Sequence, residues 1–324
     1  MKQWYALADA LSLMEIEAVN FGGGECPLAS GFVDFCRYLR NFGIKLGLTT
    51  NGSSQSFQEI ERYVDLFHEI GVSMDFAEAK LHDSFRGYKG AFEEAVTTIG
   101  QLVDYGINTE LVTCLTNNNC SRSMLSHLHS LCTDLKVDYW RTTRFHPVGR
   151  GSASLDLSLT PNALEQAYSF LYELQPDGVF STDPLFQALI AGTDEESPCQ
   201  CGRASLRIGS NGAVTPGPYI HRAVGNVTEE NLDDLLQHSA LLQQLRKREL
   251  FGKCRICPKR HVCGGGCGSA VYAIEGHLQA PDPACWVRPG QDPDPAESGT
   301  KLTKKNHGTI HEYYLCTTYV SIRS

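Results

Sequence analysis

The chain has 324 residues, with 28 Lys plus Arg against 37 Asp plus Glu, 30 Gly and 13 Cys. That length holds one large domain or two ordinary ones with a sizeable core, and a net charge of −9 argues against a protein that binds nucleic acid by neutralising phosphates. No run of about 18 apolar residues occurs, and the N-terminus lacks a basic segment followed by an apolar one. The chain therefore reads as cytoplasmic, with no membrane span. In a reducing cytosol so many cysteines point to metal before disulfides, although free Cys is also a common core residue.

From residue 17 to 145 short apolar runs alternate with amphipathic stretches. Residues 17–21 read as a strand ending at Gly22-Gly23-Gly24, followed by Phe32, Val33, Cys36 and Leu39 at helical spacing. Ile44, Leu46 and Leu48 alternate as a second strand that stops at Thr50-Asn51-Gly52, and Phe57, Ile60, Val64, Phe67 and Ile70 predict a helix after it. Strands at 72–76, 107–115 and 137–145, with helices near 91–105 and 123–134, complete the pattern. Five strands with helices between them imply parallel pairing through crossovers.

Residues 147–159 are rich in Gly and Ser, and a helix is expected from Pro161 with Thr160 as its N-cap. Residues 206–216 read as a hairpin turning at Asn211-Gly212, and 228–250 as a helix carrying Leu232, Leu235, Leu236, Leu242 and Leu245. Residues 251–285 are rich in Cys and Gly. After Cys285 comes Pro289-Gly290-Gln291-Asp292-Pro293, a linker composition, and then a more apolar stretch at 309–322. The expected divisions are 1–150, a connecting helical segment 151–197, a cysteine-rich unit 198–286, and a linker and tail 287–324.

Seven cysteines lie between 199 and 285: Cys199, Cys201, Cys254, Cys257, Cys263, Cys267 and Cys285. Four of them form C-x2-C-x5-C-x3-C. Soft thiolates so close in sequence converge on zinc or on iron-sulfur clusters, and a zinc-stabilised binding domain is the plainer alternative.

The order of these signals resembles the radical S-adenosylmethionine (radical SAM) enzymes that carry a C-terminal SPASM domain. The resemblance runs over residues 5–286, and its specific part is the cysteine spacing. It implies an α/β fold: a partial parallel (β/α)6-type barrel with its first strand missing, plus a small cysteine-rich SPASM domain. It also implies that Gly22, Gly23, Gly24 and Glu25 bind the amino end of SAM. Glycines there let carbonyls approach an ammonium, to which Glu25 adds a charge-assisted acceptor. Cys26 stands where the family has Pro.

Asn51 and Asp75 end predicted strands on the ligand-binding face and are SAM-binding candidates, with a turn-capping role as the alternative for Asp75. His82, Asp83, Arg86 and Gly87 match a family element that orders a loop. Arg144 and Arg150 flank Pro147-Val148-Gly149 and are expected on a solvated face. By resemblance Cys254, Cys257, Cys263 and Cys285 hold a complete auxiliary [4Fe-4S] cluster. Cys199, Cys201 and Cys267 belong to an incomplete one, since the family's next cysteine, five residues beyond Gly212, is here Gly217. Cys26, Cys36, Cys114, Cys120, Cys132 and Cys316 are left as buried or incidental thiols.

The family's catalytic C-x3-C-x2-C is not found in the 324 residues. An N-terminally truncated form of a peptide- or protein-modifying maturase is the expectation. The alternative is a non-catalytic relative acting in peptide binding or electron transfer, which the Gly217 substitution favours. A peptide or protein substrate and a flavodoxin- or ferredoxin-type reductant are the implied partners.

Overall fold

The structure is a computed structural model that describes residues 2–14, 16–192, 199–288 and 320–321. The chain opens with a helix, α1 (Lys2–Leu13), which buries Leu7, Ala8 and Leu11. There follow β1 (Ala18–Phe21), α2 (Phe32–Arg40), β2 (Lys45–Thr50), β3 (Glu69–Ser73), α3 (Ala79–Arg86), α4 (Ala91–Asp104) and β4 (Thr109–Leu115). Next come α5 (Arg122–Leu135), β5 (Tyr139–Arg144), α6 (Pro161–Glu173) and β6 (Val179–Ser181). Strands β1 to β6 pair in parallel and in sequence order, as crossover helices require.

The expected α/β class and parallel sheet are present, with differences in detail. The sheet has a sixth parallel strand, β6, which follows Gly178 at φ 81°. No α-helix forms between β2 and β3: only a 3-10 turn spans Ile60–Arg62, and Ile70 belongs to β3. Polar bonds, two of them local, divert that segment. Ser53 N–H donates to Asn51 Oδ1 at 2.8 Å, the Ser53 and Ser56 hydroxyls lie 2.9 Å apart, and Ser54 N–H donates to Glu94. Phe57, Ile60 and Phe67 are nevertheless buried.

The cysteine-rich part contributes β7 (Ser205–Ile208), β8 (Ala213–Thr215), β9 (Gly225–Asn226), α7 (Leu232–His238), α8 (Ala240–Arg246), α9 (Arg260–Cys263) and α10 (Gly268–Glu275). The β7–β8 hairpin has the register Ile208↔Val214. The single helix expected over 228–250 is two helices, because Ser239 leaves helical geometry at ψ 117° and its hydroxyl caps α8 by accepting from Leu242 N–H. A final strand, β10 (Val320–Ser321), joins the sheets, pairing antiparallel with β1 and with β7. The rest of the apolar 309–322 stretch and the 289–319 linker lie outside the described residues.

A polar row crosses the parallel sheet. Arg141 on β5 donates from Nε to Glu110 on β4 at 2.9 Å and from Nη2 to Thr49 on β2 at 3.4 Å. Both side chains of the ion pair are wholly buried. Gly71 on β3 makes room for it: a Cβ there would lie 3.1 Å from Glu110 Oε2, 3.2 Å from Arg141 Nη2 and 2.7 Å from Val112. Removing one partner strands a buried charge. Arg141→Leu is expected to cost about 3–5 kcal/mol in a denaturant titration, and Arg141→Leu combined with Glu110→Leu should cost less than the single change.

Candidate functional site

The glycine loop after β1 is open. Gly23 sits at φ 109°, and a Cβ on Gly23 or Gly24 would meet nothing within 4 Å. Its anchor is Glu25, whose carboxylate accepts the Thr50 hydroxyl and, at 3.2 Å, the Asn51 N–H. The loop is thereby tied to the end of β2, and Asn51 Oδ1 in turn accepts Ser53 N–H at 2.8 Å. Cys26 has a contact that sequence reasoning missed: its thiol faces the carbonyls of Gly22 and Gly24 at 3.9 and 3.7 Å. Burial, reinforced by Glu25, raises its pKa, which keeps it a donor.

Asp75 lies past the end of β3 and is wholly buried. Its Oδ1 accepts Cys114 N–H at 2.9 Å, its Oδ2 lies 2.6 Å from Arg86, and its own N–H donates to His82 Nδ1 at 3.2 Å. Burial raises its pKa against the opposing pull of Arg86. Asp83 accepts Gly90 and Phe92 N–H at 2.7 and 2.9 Å, and Gly87 closes α3 at φ 84°. The His82, Asp83, Arg86 and Gly87 element thus packs the β3–α4 connection around Asp75.

Cys254, Cys257, Cys263 and Cys285 border one hollow, shared with Asp282 and Leu185. Burial raises the metal-free thiols, Cys254 to about 11 and Cys263 to about 12. Cys199, Cys201 and Cys267 form a tighter group, their sulfurs all within 4.8 Å of one another. Among the described residues, no other group of three or more ligand-type side chains is drawn so close. The wider spacing of the four thiols fits a centre with several irons, each bound by its own cysteine. In the tighter group Cys199 accepts Gly268 N–H at 3.4 Å at the N-terminus of α10. Hydrogen bonds from Cys201 and Cys267 hold its pKa well below the ordinary thiol value.

A cavity of about 360 Å³ opens beside Cys199 and Cys201, lined also by Arg203, Arg246, Arg255, Arg260 and His261. Such positive surroundings favour thiolate-ligated, anionic centres.

The two cysteine groups are joined by Gly264, Gly265 and Gly266, at φ 61°, 79° and 75°. A Cβ on Gly266 would stand 2.5 Å from Asp282. Arg248 fastens this loop, donating to the carbonyls of Gly264, Gly266, Leu278 and Ala280.

Arg144 corrects the sequence expectation of a solvated position. It is 4% exposed and pairs with both Asp183 and Asp282; Arg150 is exposed. Burial alone would lower its pKa, but the two carboxylates raise it well above the usual value. Nothing in the local sequence marks Asp183 or Asp282 as its partners, which lie 39 and 138 positions away. Of the cysteines without an expected site, Cys36 and Cys132 are buried in the core, Cys114 and Cys120 are partly exposed, and Cys316 lies outside the described residues.

Two outcomes follow from these contacts. Arg248→Lys keeps the charge but loses the planar fork that holds four carbonyls, so the variant should lose iron faster than the parent chain in a chelator challenge followed by absorbance. His82 is buried with its pKa depressed to about 4, and its Nδ1 must stay unprotonated to accept Asp75 N–H. Because the folded pKa lies below the unfolded value, this stability is complete above pH about 6.5 and is lost as pH falls toward 4. His82→Gln should flatten the fall in Tm between pH 7 and pH 5.

Comparison with known proteins agrees with this geometry. A family model described as an iron-sulfur cluster-binding domain, SPASM, matches residues 199–258. The chain is 28% identical to mycofactocin maturase MftC of Mycolicibacterium smegmatis over 322 residues, covering 92% of this chain and 80% of that protein. It is 24% identical to the AdoMet-dependent heme synthase of Oleidesulfovibrio alaskensis, covering 89% and 79% respectively. Among solved structures, Streptococcus suis SuiB bound to precursor peptide SuiA superposes with a TM-score of 0.70 at 18% identity, over 88% of this chain and 69% of that one. Native anSMEcpe with bound AdoMet and the Kp18Cys peptide gives 0.65 at 17% identity, over 86% and 84%. No helix among the described residues is long and apolar enough to cross a membrane. Residues 199–258 thus match the model of the SPASM iron-sulfur cluster-binding domain, and over most of its length the chain is similar to SAM-dependent enzymes that share its fold.

Proposed function

We propose that this chain is the SAM-binding and auxiliary-cluster portion of a peptide-modifying system in the cytoplasm. The observation that carries the reading is the set of Cys254, Cys257, Cys263 and Cys285 around one hollow, a donor set suited to a [4Fe-4S] centre. SAM would rest on the open Gly22, Gly23 and Gly24 loop. There half-buried Glu25, oriented by Thr50 and Asn51, offers its carboxylate to the ammonium group. Asn51 shapes the rim beside Glu25. Asp75, bound to Arg86 and the Cys114 N–H, acts from behind by holding the strand ends.

In this family bound SAM supplies a 5′-deoxyadenosyl radical that abstracts hydrogen, once a three-cysteine cluster delivers an electron. The 324 residues contain no C-x3-C-x2-C, and Cys26, facing the Gly22 and Gly24 carbonyls, has no cysteine partner in that pattern. The residues present do not fit the catalytic cluster. The roles assigned to them are SAM binding and substrate placement, and an auxiliary centre held by Cys254, Cys257, Cys263 and Cys285 would supply redox chemistry, with a flavodoxin or ferredoxin as reductant.

A peptide is favoured as substrate by the strand position between β1 and β7. There β10 of this chain lies as an extended segment, antiparallel to β1 at Val19↔Val320 and to β7 at Val320↔Leu206, the pairing that strand addition uses. Beside it lies an apolar cavity of about 340 Å³ between α1, α2 and Ile208, bordered by the buried amide of Asn20.

Anaerobic reconstitution of the chain should load at least about four iron with matching sulfide; zinc without sulfide would overturn the cluster reading. Calorimetric titration should show SAM binding that weakens on the order of tenfold in Glu25→Gln, in keeping with loss of one charge-assisted contact. An unchanged affinity would remove Glu25 from the site.

A further inference from the structure

The cysteine-rich part concentrates positive charge in an otherwise acidic chain. The net charge overall is −9, whereas residues 246–260 hold seven Lys or Arg and one acid, Glu249. Five arginines converge there: Arg203, Arg246, Arg248, Arg255 and Arg260 line the cavity of about 360 Å³ beside Cys199 and Cys201, and among the described residues no Asp or Glu lines it with them. Nor, among those residues, is any of the five guanidiniums paired with a carboxylate. Three are aimed by carbonyls instead. Arg246 Nε donates to Gly202 O at 3.0 Å, Arg260 Nη1 to Arg255 O at 3.2 Å, and Arg248 to its four carbonyls. Such bonds orient a guanidinium without cancelling its charge.

The cysteines do not use up this charge. Cys199, Cys201 and Cys267 supply at most three negative charges, and any metal they hold subtracts from that, so five guanidiniums leave the cavity positive. A cleft lined by one sign of charge concentrates groups of the other sign. Its surroundings are also apolar: Phe251 and Ile256, 55% and 65% exposed, follow Leu250 and Arg255 of the lining in the chain. A bare phosphate has no use for such side chains, and the surface of a folded protein does not enter a space of this size. An extended segment with acidic and apolar side chains uses both features. Arg clusters serve as receptors for acidic motifs, because the guanidinium fork takes a carboxylate through two parallel bonds.

We propose that this arginine cavity binds an acidic segment of the peptide substrate, with Arg203, Arg246, Arg255 and Arg260 taking its carboxylates and Phe251 and Ile256 its apolar neighbours. This deepens the peptide-substrate reading above and rests on it, but it requires no step at SAM.

The test uses the full chain after anaerobic reconstitution and reads the anisotropy of a fluorescein-labelled peptide of Glu and Leu beside its counterpart of Gln and Leu. The acidic peptide should bind about tenfold more tightly than the glutamine peptide, and less tightly as salt rises and screening shortens. Arg203→Ala with Arg255→Ala should weaken the acidic peptide about tenfold while iron content and Tm stay at the parent values. Arg40→Ala, which removes an exposed arginine on α2, should change nothing. Equal affinity for the two peptides, or undiminished affinity in the double variant, overturns the proposal. Displacement by equimolar inorganic phosphate would make the cavity a phosphate site, and displacement by a flavodoxin at a lower concentration than unlabelled peptide would make it the carrier's; either overturns the proposal. Binding that appears only after Asp194→Asn, Glu195→Gln and Glu196→Gln would give the cavity to the chain's own acidic run and overturn it as well. Iron and sulfide are scored separately: a parent chain that takes up neither counts against the function proposed above, whereas the peptide comparison decides this site.

Discussion

The buried guanidinium of Arg144 is the joint between the parallel sheet and the cysteine loops. It leaves the end of β5, pairs with Asp183 just after β6, and pairs again with Asp282, four residues after Leu278 in the cysteine-rich part. Burying three charges without pairing would be prohibitive, so each partner fixes the other two. Burial would raise the pKa of Asp282, yet Arg144 and its hydrogen bond hold it below the ordinary carboxylate value. Asp282 then spends its remaining capacity on Cys267 N–H and Ala284 N–H. One carboxylate therefore touches both cysteine groups, bordering the hollow of Cys254, Cys257, Cys263 and Cys285 while orienting the backbone of Cys267.

That arrangement explains why the connection between the two groups is all glycine. The loop must turn through three consecutive left-handed residues directly against Asp282, where a side chain on Gly266 would displace the carboxylate. With Arg248 gripping the same loop from its other side, the spacing of the metal ligands is set by backbone and fixed charge. Rotamer freedom of the cysteines contributes little. A rigid frame of this kind lets thiols stay poised for metal despite the burial that favours their protonated forms.

How much of this was legible in the sequence depended on whether the signal was local. The strand before Gly22, the hairpin at Asn211-Gly212 and the Thr160 cap depend on neighbours in the chain, and all three are present. The cysteine spacing put Cys267 with Cys254, Cys257 and Cys263, and it was the resemblance that moved Cys267 to the group of three, where its sulfur lies with those of Cys199 and Cys201. Residues 57–70 misled because apolar residues at helical spacing also suit an irregular segment pressed on the core, once Ser53 and Ser56 bond locally and Glu94 takes the Ser54 N–H. Strand β6 has three residues, too few for a period to show. Arg144 was misplaced for a different reason. An arginine's burial is decided by where its acids lie in space, and Asp183 and Asp282 come from distant segments.

Gly217 shows the same limit in its sharpest form. In one dimension it is a vacancy, a glycine where the resemblance expects a sulfur. In three dimensions it is filled space, because Cys201 and Ser269 already occupy what a side chain would need. A pattern of ligands along a sequence counts residues, whereas coordination counts atoms at a point.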